Sequence, residues 1–190
     1  LGLVICWLIA VRVVDHRRAM FSVVMLALYP IFTFKGYKYN ADLLQLVTLP
    51  LFVLAYLHAF EKRTVRSGIW LGLAAALALM TKYWVLTMIG AAGLAALIHP
   101  DRMRFLRSPA PWVAFVACFA GMLPHLWWLK QVDFLPLIYA DDVYGGRTFL
   151  TTLRLVWIYF THNIGLLLIP LAFAAIALAW KLQWWKSLRR

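Results

Sequence analysis

Two short polar islands interrupt an otherwise apolar sequence, and their residue types suit the handling of a phosphate and a hydroxyl. The first is the run 34–42, where Lys35, Tyr37, Lys38, Tyr39, Asn40 and Asp42 stand together between apolar segments. The second is 80–84, where Lys82 and Tyr83 sit between Thr81 and Trp84 with no acidic neighbour in sequence. A lysine in such a place snorkels to the headgroups, pairs with a carboxylate from another segment, or binds an anion. Asp42 opens the next apolar run, so it either caps a helix and meets its positive end or accepts a hydrogen bond from a substrate hydroxyl. Spacing alone leaves both readings open, and Tyr and Lys are also ordinary anchors at a membrane surface.

A third polar segment follows Pro124 and His125 and carries Asp133, Tyr139, Asp141, Asp142, Tyr144, Gly145, Gly146 and Arg147. His125 is either an interfacial residue at a helix end or part of the site. The adjacent carboxylates Asp141 and Asp142 could hold a hydrated cation, but no metal ligand is assigned and a divalent cation stays the lesser alternative. The glycine-rich phosphate loops, the HExxH helix and the GxSxG elbow are absent, which removes soluble-type nucleotide and hydrolase chemistry.

The elements that must position these groups are membrane segments. Hydrophobic residues make up 65% of the 190 and charged ones 14%, a balance that leaves a soluble domain nothing polar to show to water. The net charge of +12 falls in short clusters between apolar runs and forms no domain-wide basic face. Nucleic acid is therefore not an expected partner, whereas membrane lipids are. Cys6 and Cys118 lie inside apolar runs and read as small hydrophobes.

The apolar runs are 1–14, 20–34, 43–60, 69–80, 83–98, 111–129 and about 157–180. They predict an all-α, polytopic transmembrane bundle with about seven membrane segments, several of them shorter than the roughly 20 residues a span needs. The dense Lys/Arg clusters at 15–18, 61–66, 101–107 and 181–190 are expected in the cytoplasm. Parity then requires an even number of crossings between Arg66 and Arg102, so 69–98 is predicted to be two short helices hinged near Lys82. The same parity puts 35–42, the Lys82 hinge and the connector from 130 to about 159 on the outer side. Residues 1–190 are read as a single transmembrane domain, an internal piece with no C-terminal soluble domain.

The order Tyr39-Asn40-Ala41-Asp42-Leu43-Leu44-Gln45-Leu46, Thr48-Leu49-Pro50-Leu51, Gly72 through Thr81-Lys82-Tyr83, Ser108-Pro109-Ala110-Pro111-Trp112 and Pro124-His125-Leu126-Trp127-Trp128 resembles the bacterial family 39 glycosyltransferases. These are similar to the protein O-mannosyltransferases and the lipid A aminoarabinose transferases of the GT-C fold. The resemblance implies an enzyme of the bacterial inner membrane, with its site facing the periplasm or cell exterior. Such an enzyme takes a sugar from a polyprenyl-phosphate carrier and passes it, with inversion, to a lipid, glycan or protein acceptor. It implies Asp42 and Lys82 as catalytic residues; Lys35, Lys38, Tyr39, Asn40, Tyr83, His125 and Arg147 complete the expected substrate-binding set. The acid that activates the acceptor would lie in a first outer loop upstream of Leu1, so 1–190 alone is expected to be inactive. The alternative is part of a transporter or channel in which Asp42 and Lys82 serve an ion pathway. Against that stand the gathering of the polar groups at one face and the lack of an inverted repeat.

Overall fold

A computed structural model of the chain describes residues 1–29, 32, 41–145 and 148–188, with the side chains of 140, 141, 143, 144 and 180–188 outside the description. The described elements are helices: α1 (Gly2–Ala10), α2 (His16–Ala27), α3 (Ala41–Lys62), α4 (Val65–Thr81), α5 (Val85–Ile98), α6 (Arg102–Leu106), α7 (Pro109–Gln131), α8 (Leu135–Tyr144) and α9 (Phe149–Leu188). Three helical stretches are long and apolar enough to cross a membrane: α3, α7 and Phe149–Ala179 of α9. α4 and α5 are shorter apolar helices. α1 and α2, with nine and twelve residues, fall below the length of roughly 20 that a straight crossing requires. Large apolar side chains such as Trp70, Leu86, Phe115, Val116 and Phe119 stand exposed around the bundle. Such a wall is stable against hydrocarbon and would drive aggregation in water.

α4 is the central helix because its sequence is small on the faces it buries. Gly68, Gly72, Ala74, Ala75, Ala76 and Ala78 are all buried, and α7 presents Ala110, Ala114, Ala117, Cys118 and Gly121 to it. A Cβ at Gly68 would stand 3.0 Å from the Val113 Cβ, and one at Gly121 would stand 2.9 Å from the Ala76 Cβ. Backbones this close gain dispersion contact along their whole length, which is what holds helices together where no hydrophobic force acts between them. α3 closes the other side through Phe52 and Ala59, which join Leu71, Ala75, Ala78 and Val85 in one buried cluster.

The turn between α3 and α4 is short and well defined. Arg63 takes a left-handed backbone (φ 57°), and Thr64 and Ser67 form a reciprocal capping box that satisfies the first N–H groups of α4. α3 and α4 therefore run antiparallel. α1 docks on α3 where Pro50 has no N–H to give to the Leu46 carbonyl, and Gly2 packs directly against that oxygen.

The charged connectors meet at one end of the bundle. Arg12 pairs with Glu61 at 3.2 Å and Arg63 with Asp101 at 3.8 Å, while the Phe60 ring lies 4.7 Å from His99 and 4.8 Å from Phe105. The first three basic clusters thus share one end, and the start of α3 and the end of α4 lie at the other. The expected break in 69–98 falls at 82–84, between α4 and α5. The connector expected to run to about 159 is shorter in the structure. α9 begins at Phe149, where Thr148 accepts the Thr151 N–H at 3.3 Å, and α8 occupies much of the remainder. The exposed apolar side chains of Phe149, Leu150 and Leu153 account for the earlier start, since they extend the apolar stretch of α9 past Arg154.

Candidate functional site

The end of the bundle opposite the basic clusters is organised by the break after α4. Lys82 is the C-cap residue of α4 and has an extended backbone (φ −161°, ψ 138°). Its N–H reaches the Ala78 carbonyl at 3.4 Å, and its own carbonyl accepts the Val85 N–H at 3.2 Å. Val85 is completely buried, so the start of α5 is pinned beneath Lys82. The chain then turns at Tyr83 and Trp84, and Lys82 faces α3 while Tyr83 faces α7.

On the α3 side, the Lys82 ammonium donates to Asp42 Oδ1. Of the three outcomes open to this lysine, pairing with a carboxylate from another segment is the one realised, across 40 residues of sequence. The two side chains are 42% and 49% exposed, so the pair faces outward. An ammonium has three donors and a carboxylate two oxygens, and a single contact leaves donors on Lys82 and an acceptor on Asp42 for a ligand. Asp42 also lies in the first turn of α3, where its negative charge meets the positive end of the helix.

On the α7 side, the Tyr83 hydroxyl and His125 Nε2 are 2.8 Å apart, and the His125 ring stacks on Trp128 at 5.5 Å and 27°. Burial pushes the Tyr83 hydroxyl up from its ordinary value of 10.0. The level of His125 follows from the α4–α7 seam. Gly68 lies against Ala110 and Gly72 against Ala114; Tyr83 and His125 keep that same separation of 42 residues. The small-residue contact thus sets the register that brings the tyrosine and histidine to one height.

Four of the residues singled out in the sequence, Asp42, Lys82, Tyr83 and His125, therefore come together as two linked pairs. Lys35, Lys38, Tyr39, Asn40 and Arg147 lie outside the described residues. Among the described residues no group of three or more His, Cys, Asp or Glu side chains is placed to hold a metal ion. Gln45 stands inside the first motif of the family resemblance, but the sequence assigned it no role. This residue is buried on α3 one turn from Asp42, and among the described residues its amide Nε2 has no partner. The available signal was one amide inside the apolar run that starts at Leu43.

Residues 1–128 match the family model described as dolichyl-phosphate-mannose-protein mannosyltransferase. Over 105 residues, 55% of this chain, the sequence is 30% identical to the lipid A galacturonosyltransferase RgtD of Rhizobium johnstonii. That alignment spans 22% of the relative's length. No solved structure matches the chain. Asp42, Lys82, Tyr83 and His125 all fall within the part that the family model covers.

Proposed function

We propose, from the premise that the chain belongs to the dolichyl-phosphate-mannose-protein mannosyltransferase family, that it moves a sugar from a polyprenyl-phosphate carrier to an acceptor hydroxyl at the outer face of a bacterial inner membrane. The observation that carries this reading is the outward-facing Asp42–Lys82 pair, held between two apolar helices. The acceptor is a lipid-linked saccharide of the kind named for the galacturonosyltransferase relative, lipid A. In the same reading the chain contributes about seven membrane segments, with Arg18, Arg63, Arg104 and Arg189 in the cytoplasm.

In the transfer, the acceptor oxygen forms a bond to the anomeric carbon as the bond from that carbon to the phosphate oxygen breaks. The phosphate leaves with the electron pair, and the configuration at carbon inverts. Negative charge grows on the departing phosphate, and a preorganised cation in a water-poor site is the most effective stabiliser of such charge. Lys82 has this role, with Lys35, Lys38 and Arg147 as further cationic contacts. Asp42 holds the ammonium in place, and its second oxygen orients the acceptor hydroxyl, whose proton passes to a general base. Tyr39, Asn40, Tyr83 and His125 hold the sugar.

The test is made in the full-length protein. Lys82→Met keeps the apolar stem without the charge, and Lys82→Arg keeps a charge on a wider planar fork. Met is expected to abolish most transfer and weaken donor binding, and Arg to retain part of both. Unchanged binding and turnover with Met, in protein that folds normally, would sink the proposal.

A further inference from the structure

Gln45 is 7% exposed, and among the described residues its amide Nε2 has no hydrogen-bond partner. Three residues on, the buried Thr48 hydroxyl has none either. A buried polar group left unpaired forfeits about 1–3 kcal/mol, and lipid offers nothing to satisfy it. Such a group persists where something else depends on it. Gln45, Phe52 and Ala59 follow one another at intervals of seven and are the buried residues of α3, so they share one face of the helix. Phe52 and Ala59 belong to the buried cluster that α3 shares with α4, and the two helices run antiparallel from the turn at Arg63. Gln45, near the start of α3, therefore lies at the level of the closing end of α4. It lies three residues into α3 from Asp42, about 4.5 Å deeper along the axis.

We propose that Gln45 is a binding residue for the phosphate of the lipid-linked donor, its Nε2 donating to a phosphate oxygen drawn in by Lys82. An amide nitrogen only donates, so the ligand must bring an acceptor. A neighbouring ammonium favours an acceptor that carries negative charge. The position one turn inside the ion pair, between apolar helices, favours an anionic group on a hydrocarbon tail over a free anion. A sugar hydroxyl is the poorer match, because it brings a proton that needs an acceptor of its own.

This inference rests on the transferase reading, and the experiment separates the two. Purified full-length protein in detergent is titrated with undecaprenyl monophosphate, with undecaprenol and inorganic phosphate as parallel probes, and its thermal midpoint is followed without ligand. Gln45→Leu removes the unpaired amide. It is expected to keep or raise the midpoint and to weaken undecaprenyl monophosphate binding roughly tenfold to a hundredfold, the span for a hydrogen bond to a charged group. Binding of undecaprenol should be unchanged, and inorganic phosphate should bind far more weakly than the lipid phosphate to the unsubstituted protein. Gln45→Met, with a linear apolar chain, should repeat the loss. Full affinity in both variants overturns the inference, and so does a lowered midpoint in both, which would mean that the amide serves the fold. If Lys82→Met loses binding while Gln45→Leu keeps it, this inference alone fails; if Lys82→Met also keeps it, the transferase reading fails with it.

Discussion

Replacing Gly72 by alanine tests the seam between α4 and α7 directly. The added Cβ would stand 2.6 Å from the Ala117 Cβ and 2.8 Å from the Cys118 N, and closer still to the Ala114 carbonyl oxygen. Ordinary contact begins near 3.4 Å, so the two helices must part by up to about 1 Å to restore it. Two of the three obstacles are backbone atoms, which no rotamer change can move. Overpacking of this sort costs about 1–3 kcal/mol. Gly90 supplies the matched control, since a Cβ there meets nothing within 4 Å. Gly90→Ala should gain up to about 1 kcal/mol from the better helix propensity of alanine, so the two substitutions differ in sign as well as in size. The measurement is the resistance of the full-length protein to unfolding in mixed detergent, with Gly93→Ala as a second control of the same open kind. Gly72→Ala should also lower transfer, because parting α4 from α7 lengthens the 2.8 Å Tyr83–His125 contact. Equal stability of Gly72→Ala and Gly90→Ala would refute the close approach on which the site's register depends.

Tyr83→Phe should cost about 0.5–1.5 kcal/mol through the lost bond to His125. Because burial raises the Tyr83 hydroxyl above its ordinary 10.0, the folded protein holds that proton more tightly than the unfolded chain. The resulting stabilisation is full below pH 10 and is lost as pH rises through the folded value; unfolding measured against alkaline pH should show it in the unsubstituted protein and not in Tyr83→Phe. Single cysteines at positions 63 and 82, with Cys6 and Cys118 replaced, should label from opposite sides of the membrane in intact cells. Labelling of both from one side would contradict a membrane crossing by α4.

The charges made the ends of the bundle legible in the sequence. Clusters at 15–18, 61–66 and 101–107 forced a return of the chain near Lys82, and the structure breaks its helix at that point. The partners of the polar residues were not legible. Lys82 finds Asp42 40 residues away and Tyr83 finds His125 42 residues away, and both distances depend on how helices stack, which local residue pattern does not encode. The α9 start was hidden because Arg154 interrupts the apolar pattern, whereas one cation on a helix of 40 residues can extend along the surface without ending it. Gln45 stood in the 39–46 motif without a role for a related reason: a single amide among leucines carries no periodic signal, and only burial reveals that among the described residues it lacks a partner.

The parallel register of the α4–α7 seam, whose partners stand 42 or 45 residues apart, has a consequence for how length can change in related chains. Removing one residue between Ala114 and His125 would turn His125 about 100° around α7, away from Tyr83, while leaving the lower seam intact. Adding or removing residues in the connectors on either side of α6, at 99–101 or 107–108, would leave both helices in register and change only the path between them. Insertions and deletions among functional relatives should therefore collect in those connectors and avoid the segment from Ala114 to His125, even where the residues themselves differ.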